Sequence, residues 1–183
     1  MKKQNTVLYV LRLSTTLLII AALVAAALAG VNAITAPVIA SINEQKTQEA
    51  IEAVLPGGGT RMESFVDTTG MVQAVYVSDS GYAVQVTPAG FDGNINMMVG
   101  IDREGKVLNI SIISHTETAG LGAVAAANNA AGESFRSSYV GQSGQLAVDK
   151  DGGSIDAITG ATITSRAVTE GVNAALACAA AMG

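Results

Sequence analysis

Between Leu13 and Ala36 the chain carries no charged side chain, and the centre of that run reads LLIIAALVAAALAG. These 24 residues exceed the roughly 20 that a helix needs to cross a bilayer core. Lys2, Lys3 and Arg12 precede the run with no acidic residue among them. The positive-inside tendency places such an N-terminus in the cytoplasm and everything after residue 36 on the far side. A cleaved signal peptide is the alternative, with Ala27 and Ala29 framing a processing site. The run is too long for a signal h-region, and TAPVIASINEQKTQEAIEAVLP continues from it as a helix without a gap. The expectation is an uncleaved anchor, residues 1–36, followed by an extracytoplasmic domain, residues 37–183.

Charge divides along the same line. The anchor holds three of the ten basic residues and none of the fifteen acidic ones, leaving the domain seven against fifteen, a net charge of −8. An acidic domain without a basic stripe does not suit a phosphate backbone, so nucleic acid is excluded as a partner. A single cysteine, Cys178, excludes an internal disulfide and any multi-cysteine zinc or iron–sulfur centre. Within an Ala-rich helix it reads as a small buried apolar residue.

The domain reads as α+β, an antiparallel sheet with flanking helices. From Ala36 to Val54 the apolar residues recur at helical spacing, with Pro37 marking a bend and Pro56-Gly57-Gly58-Gly59 ending the membrane-proximal helix at 37–55. MVQAVYV (71–77) and YAVQVTP (82–88) flank a turn and predict one hairpin; INMMVGID (95–102) and KVLNISIIS (106–114) predict a second. In the last of these strands Leu108, Ile110 and Ile112 form an aliphatic face directed at the core. The loop Gly90-Phe91-Asp92-Gly93 between the hairpins has two residues free to adopt unusual backbone angles. Residues 123–135 read as a short helix, 145–148 and 154–158 as strands, and 166–182 as a helix with an apolar face at Val168, Val172, Ala175, Leu176 and Ala179.

Two stretches stand apart from this scaffold. HTETAGLG, His115 to Gly122, leaves a core strand with the only histidine, a carboxylate at Glu117, a hydroxyl at Thr118 and two glycines around Leu121. By itself it is equally a solvated strand-to-helix turn, and one His with one Glu are too few ligands for a metal. DAITGATITS, Asp156 to Ser165, leaves the second short strand, turns on Gly160 and enters the last helix. Ser165, or Thr164, is the expected N-cap; that accounts poorly for Thr159 and Thr162. A helix N-terminus stabilises phosphate, and Gly160 and Ala161 let one approach the backbone closely. No Walker or GxGxxG pattern is present. The residues alone point to a phosphate-bearing ligand within reach of hydroxyls.

Asp156-Ala157-Ile158-Thr159-Gly160-Ala161-Thr162 resembles the Dxx(S/T)GAT flavinylation motif of membrane-anchored FMN-binding domains. His115 to Gly122 is similar to the HxETPGLG loop of that family except at Ala119, where the family has proline. GFDGNINMMVGIDREGKV (90–107) resembles the segment that precedes that loop. The compact length is most similar to the G subunits of Rnf-type ion-translocating ferredoxin:NAD oxidoreductases; the longer C subunits of sodium-translocating NADH:quinone oxidoreductases are the next comparison. The resemblance implies FMN joined by a phosphoester to Thr162 and attached by a separate flavin transferase, with Asp156 positioning the segment. It places His115, Glu117, Thr118, Gly120, Leu121 and Gly122 by the flavin together with Thr159, Gly160 and Ala161. It further implies a redox subunit without substrate turnover of its own, held among the other subunits of a membrane complex. An anchored binding or sensor domain without covalent flavin is the alternative.

Overall fold

The uncharged run becomes part of one long helix, α1 (Lys2–Val54), in the computed structural model, which describes residues 2–182. Side chains from Leu8 to Lys46 are exposed, and the most apolar window of the helix has a mean hydropathy of 2.5. A helix that is apolar on every side and covered on none is suited to lipid. The helix continues through Pro37 without interruption: the missing N–H removes one bond, and neighbouring turns carry the helix past it. Internal contacts divide the chain into two units between Glu44 and Gln45.

In the second unit α1 ends as the sequence predicts. Leu55 N–H still bonds the Ile51 carbonyl at 2.8 Å, and Gly58 N–H turns back onto Leu55 at 2.9 Å. Pro56 and the left-handed Gly57 (φ 93°) then prevent another turn.

Five antiparallel strands follow in the order β1 (Thr60–Arg61), β2 (Val72–Ser78), β3 (Gly81–Val86), β4 (Asn96–Asp102) and β5 (Val107–Ser114). β2–β3 and β4–β5 are the two expected hairpins; β1 is a short edge strand that the sequence reading leaves out. Both faces of the sheet are covered. One packs against α3 (Thr162–Ala180) and α2 (Ala130–Ser137) through Val84, Met97, Val99, Ile110, Phe135, Tyr139, Val168 and Val172. The other receives Ala50, Ile51, Val54 and Leu55 from the end of α1, against Ala83, Met98 and Ile113. Each fully buried aliphatic side chain contributes about 1.5–3 kcal/mol.

Three local expectations are corrected. First, Leu108 does not share a face with Ile110 and Ile112. Ile101 pairs with Val107 but Gly100 pairs with Asn109, so Leu108 is the extra residue of a bulge and packs on the α1 side. Second, residues 123–135 do not form one helix. A 3₁₀ turn at Gly122–Ala126 stops, and α2 begins where the Asn129 side chain accepts the Gly132 N–H at 3.0 Å. Third, 145–148 and 154–158 are not strands. They meet in one parallel bridge, Val148 to Ile155, around a 3₁₀ turn at Asp149–Asp151. Parallel neighbours need a crossover of about a dozen residues or more to build a ladder, and this link is far shorter.

Candidate functional site

Helix α3 begins at Thr162 rather than at Arg166, and this rearranges the hydroxyls of DAITGATITS. The N-cap is Ala161, with no side-chain cap bond, so Thr162, Thr164 and Ser165 all lie in the first turn. Ser165 is not the cap. Its buried hydroxyl donates to the Ala161 carbonyl at 3.0 Å and accepts the Ile158 N–H at 3.0 Å. The side chain staples the turn Ile158–Ala161 onto the helix, and Gly160 (φ 78°) supplies the left-handed residue that the turn requires. Ser165→Ala would leave the Ile158 N–H without its partner, a cost of about 1–3 kcal/mol. Denaturant unfolding should show that loss as a lower midpoint with an unchanged slope.

The neighbouring loop is held by its own carboxylate. Glu117, 7% exposed, accepts backbone N–H bonds from Phe91 at 2.8 Å and Asp92 at 3.2 Å on one oxygen. Its other oxygen accepts the Thr164 hydroxyl at 2.5 Å. Thr116 donates to the Asp92 carbonyl at 2.6 Å, and Leu121 and Ala123 donate their N–H groups to the Thr118 carbonyl at 3.2 and 3.1 Å. His115 braces the same residue through its backbone: its Nδ1 accepts the Glu117 N–H at 3.2 Å.

These three segments enclose a cleft of about 310 Å³. Its walls are Phe91 from the 90–93 loop, Glu117, Thr118, Leu121 and Gly122 from HTETAGLG, and Gly160 to Thr164 from the start of α3. Three of the wall residues are large apolar side chains left open to solvent: Phe91 at 66%, Leu121 at 44% and Ile163 at 51% exposure. Among the described residues after Glu44, Val66 and Val140 are the other exposed large aliphatics, so this is where such surface gathers. Thr162 is half-buried in the wall. Among the described residues no hydrogen bond engages its hydroxyl, whereas Thr164, Ser165 and Thr169 each have a partner. The first N–H groups of α3 lack helical acceptors and present its positive end here. Arg166, one turn on, is held by two bonds to the Asp151 carboxylate, at 2.7 and 2.5 Å, which keep Asp151 below the usual carboxylate range.

Not every residue singled out from the sequence reaches the cleft. Asp156, Thr159 and Gly120 line a separate hollow of about 430 Å³ with Val124, Phe135 and Ile158, and His115 lines neither. Phe91, Ile163 and Thr164 are cleft residues that the sequence reading did not assign. The signal for Phe91 was an aromatic side chain between two glycines in a loop; Thr164 was masked by its reading as a cap. Cys178 is buried, as expected, and burial raises its thiol pKa.

Comparison with known proteins identifies the family of the domain that holds this cleft. Residues 90–177 match the FMN-binding domain. The chain is 35% identical to the G subunit of the Na(+)-translocating ferredoxin:NAD(+) oxidoreductase complex of Acetobacterium woodii, over 90% of this chain and 88% of that protein. It is 43% identical to the G subunit of the proton-translocating ferredoxin:NAD(+) oxidoreductase complex of Clostridium ljungdahlii, over 52% of this chain and 51% of the relative. With the G subunit of the ion-translocating oxidoreductase complex of Haemophilus influenzae the identity is 42%, over 49% of this chain and 45% of the relative. With a third of its residues shared along nearly its whole length, and the FMN-binding pattern spanning all three walls of the cleft, the chain belongs to the FMN-binding family of oxidoreductase-complex G subunits.

Proposed function

We propose that this chain is an electron-transfer subunit of an Rnf-type ion-translocating ferredoxin:NAD oxidoreductase, carrying FMN on Thr162 through a phosphoester. The observation that carries the reading is the state of the motif hydroxyls. Thr164 and Ser165 are buried and engaged, Thr159 faces another hollow, and Thr162 opens unengaged into the cleft. The residues present fit the group. The N–H groups of the first turn of α3 suit a phosphate, and the exposed side chains of Phe91, Leu121 and Ile163 suit a flat apolar ring. In the attachment, Thr162 Oγ1 bonds the FMN phosphorus of FAD, gives up its proton, and AMP leaves. A separate flavin transferase performs that step and reads Asp156 and Thr159 from the adjoining hollow.

FMN supplies the redox chemistry by taking up and releasing electrons. This chain's side chains would hold and shield it: Leu121 and Ile163 would exclude water from the cleft, and the Gly160–Ala161 backbone would admit the phosphate. Residues 1–36 anchor the chain as a single membrane span with its N-terminus in the cytoplasm, and the other subunits of the complex supply the redox neighbours. The test is the intact mass of the chain from cells that also make the transferase. An increment of one FMN less one water is expected; an unmodified mass would sink the covalent reading.

A further inference from the structure

We propose that Glu117 is a positioning residue for the attachment hydroxyl, acting through Thr164, and not itself a contact of the flavin. The proposal rests on the reading of Thr162 as the acceptor. Among the described residues, Glu117 is the one side chain bonded to two walls of the cleft while standing in the third. Its carboxylate accepts from Phe91 and Asp92 in one wall and from Thr164 in another. Three accepted bonds leave little of its acceptor capacity for a ligand.

The backbone is shaped around this carboxylate. A Cβ at Gly90 would lie 2.3 Å from Glu117 Oε1, and one at Gly122 would lie 2.4 Å from Oε2 and 2.5 Å from Thr164 Oγ1. Two glycines from different loops thus leave room for the two oxygens of one side chain. No salt bridge involves Glu117 among the described residues, so the site is arranged by hydrogen bonds from fixed donors. The bond to Thr164 fixes the rotation of the first turn of α3. Thr162 lies two residues earlier on that turn, and its direction follows from the same rotation. Placement of this kind governs the rate of a group transfer, because the attacking oxygen must be held in line with the phosphorus.

The experiment uses the full chain, coexpressed with a flavin transferase, and follows flavin incorporation per folded molecule over time. Thr164→Val keeps the buried shape and removes the O–H; incorporation is expected to slow about tenfold. Thr164→Ser restores the donor and is expected to recover most of the rate. Glu117→Gln combined with Thr164→Val should be no slower than the slower single variant, since the link to Thr164 is already gone with its hydroxyl and the Gln oxygen still accepts from Phe91 and Asp92. Wild-type rates in Thr164→Val, no recovery in Thr164→Ser, or additive losses in the double variant would each overturn the proposal. A wild-type chain that takes up no flavin overturns the Thr162 reading, and this one with it. A wild-type chain that labels beside an equally fast Thr164→Val overturns this one alone.

Discussion

Thr162→Val should abolish covalent flavin completely while leaving the domain folded. Valine has nearly the shape of threonine, and its helix propensity is similar. The hydroxyl it removes makes no bond within the described residues, so no donor or acceptor is orphaned. Stability should therefore change by no more than about 0.5 kcal/mol, as at an ordinary surface position. On a denaturing gel the wild-type band should fluoresce under ultraviolet light and the variant band should not. Thr159→Ser is the matched control. It keeps a hydroxyl three residues away for the transferase to read in the neighbouring hollow, and its band should still fluoresce. If Thr162→Val retained bound flavin through denaturation, the attachment would have to lie elsewhere.

The second large effect is expected far from the cleft, at Gly100. This residue lies in β4 where the end of α1 crosses the sheet, and a Cβ there would sit 2.2 Å from the Val54 carbonyl oxygen. It would also meet Val54 C and Cβ at 2.9 Å. Backbone cannot swing aside as a flexible side chain does, so Gly100→Ala must lift the last turn of α1 off the sheet. That turn carries Val54 and Leu55, both fully buried, and the Ala53 carbonyl that accepts Asn109 Nδ2–H at 2.9 Å. Overpacking of this kind costs about 1–3 kcal/mol, a fall of roughly 3–10 °C in Tm for a domain of this size. Calorimetry of the variant beside the wild type measures it. An unchanged Tm would mean that α1 is not seated on β4 as described.

The hairpins were legible in the sequence because period-two runs bounded by turn residues admit few other structures. The paired motifs were legible as well, since HTETAGLG and DAITGAT are local and ordered. What escaped was set by partners distant along the chain. The bulge at Leu108 depends on how β5 registers with β4, and alternation within β5 alone does not reveal it. Ser165 has the composition of a cap, but its hydroxyl is taken by Ile158 and Ala161 once the turn closes, which moves the helix start to Thr162. Glu117 was visible as a carboxylate in a loop. Its donors lie 26, 25 and 47 residues away, and only the fold brings them together. The segment 145–158 failed for a different reason: β-prone residues were present, but the link was too short to let them pair as a ladder.

The burial of Thr164 and Ser165 has a consequence for site choice. An enzyme meeting DAITGATITS as an unfolded peptide would encounter five oxygen-bearing side chains capable of forming a phosphoester or competing for one: four hydroxyls and the Asp156 carboxylate. On the folded chain, Thr164 at 2% and Ser165 at 0% exposure are out of reach, and each already has a hydrogen-bond partner. The native structure therefore narrows the candidates before any modifying enzyme arrives. Under the proposed function, the accuracy of labelling belongs partly to the substrate's own fold, which withdraws Thr164 and Ser165 and leaves Thr162 as the open hydroxyl of the cleft.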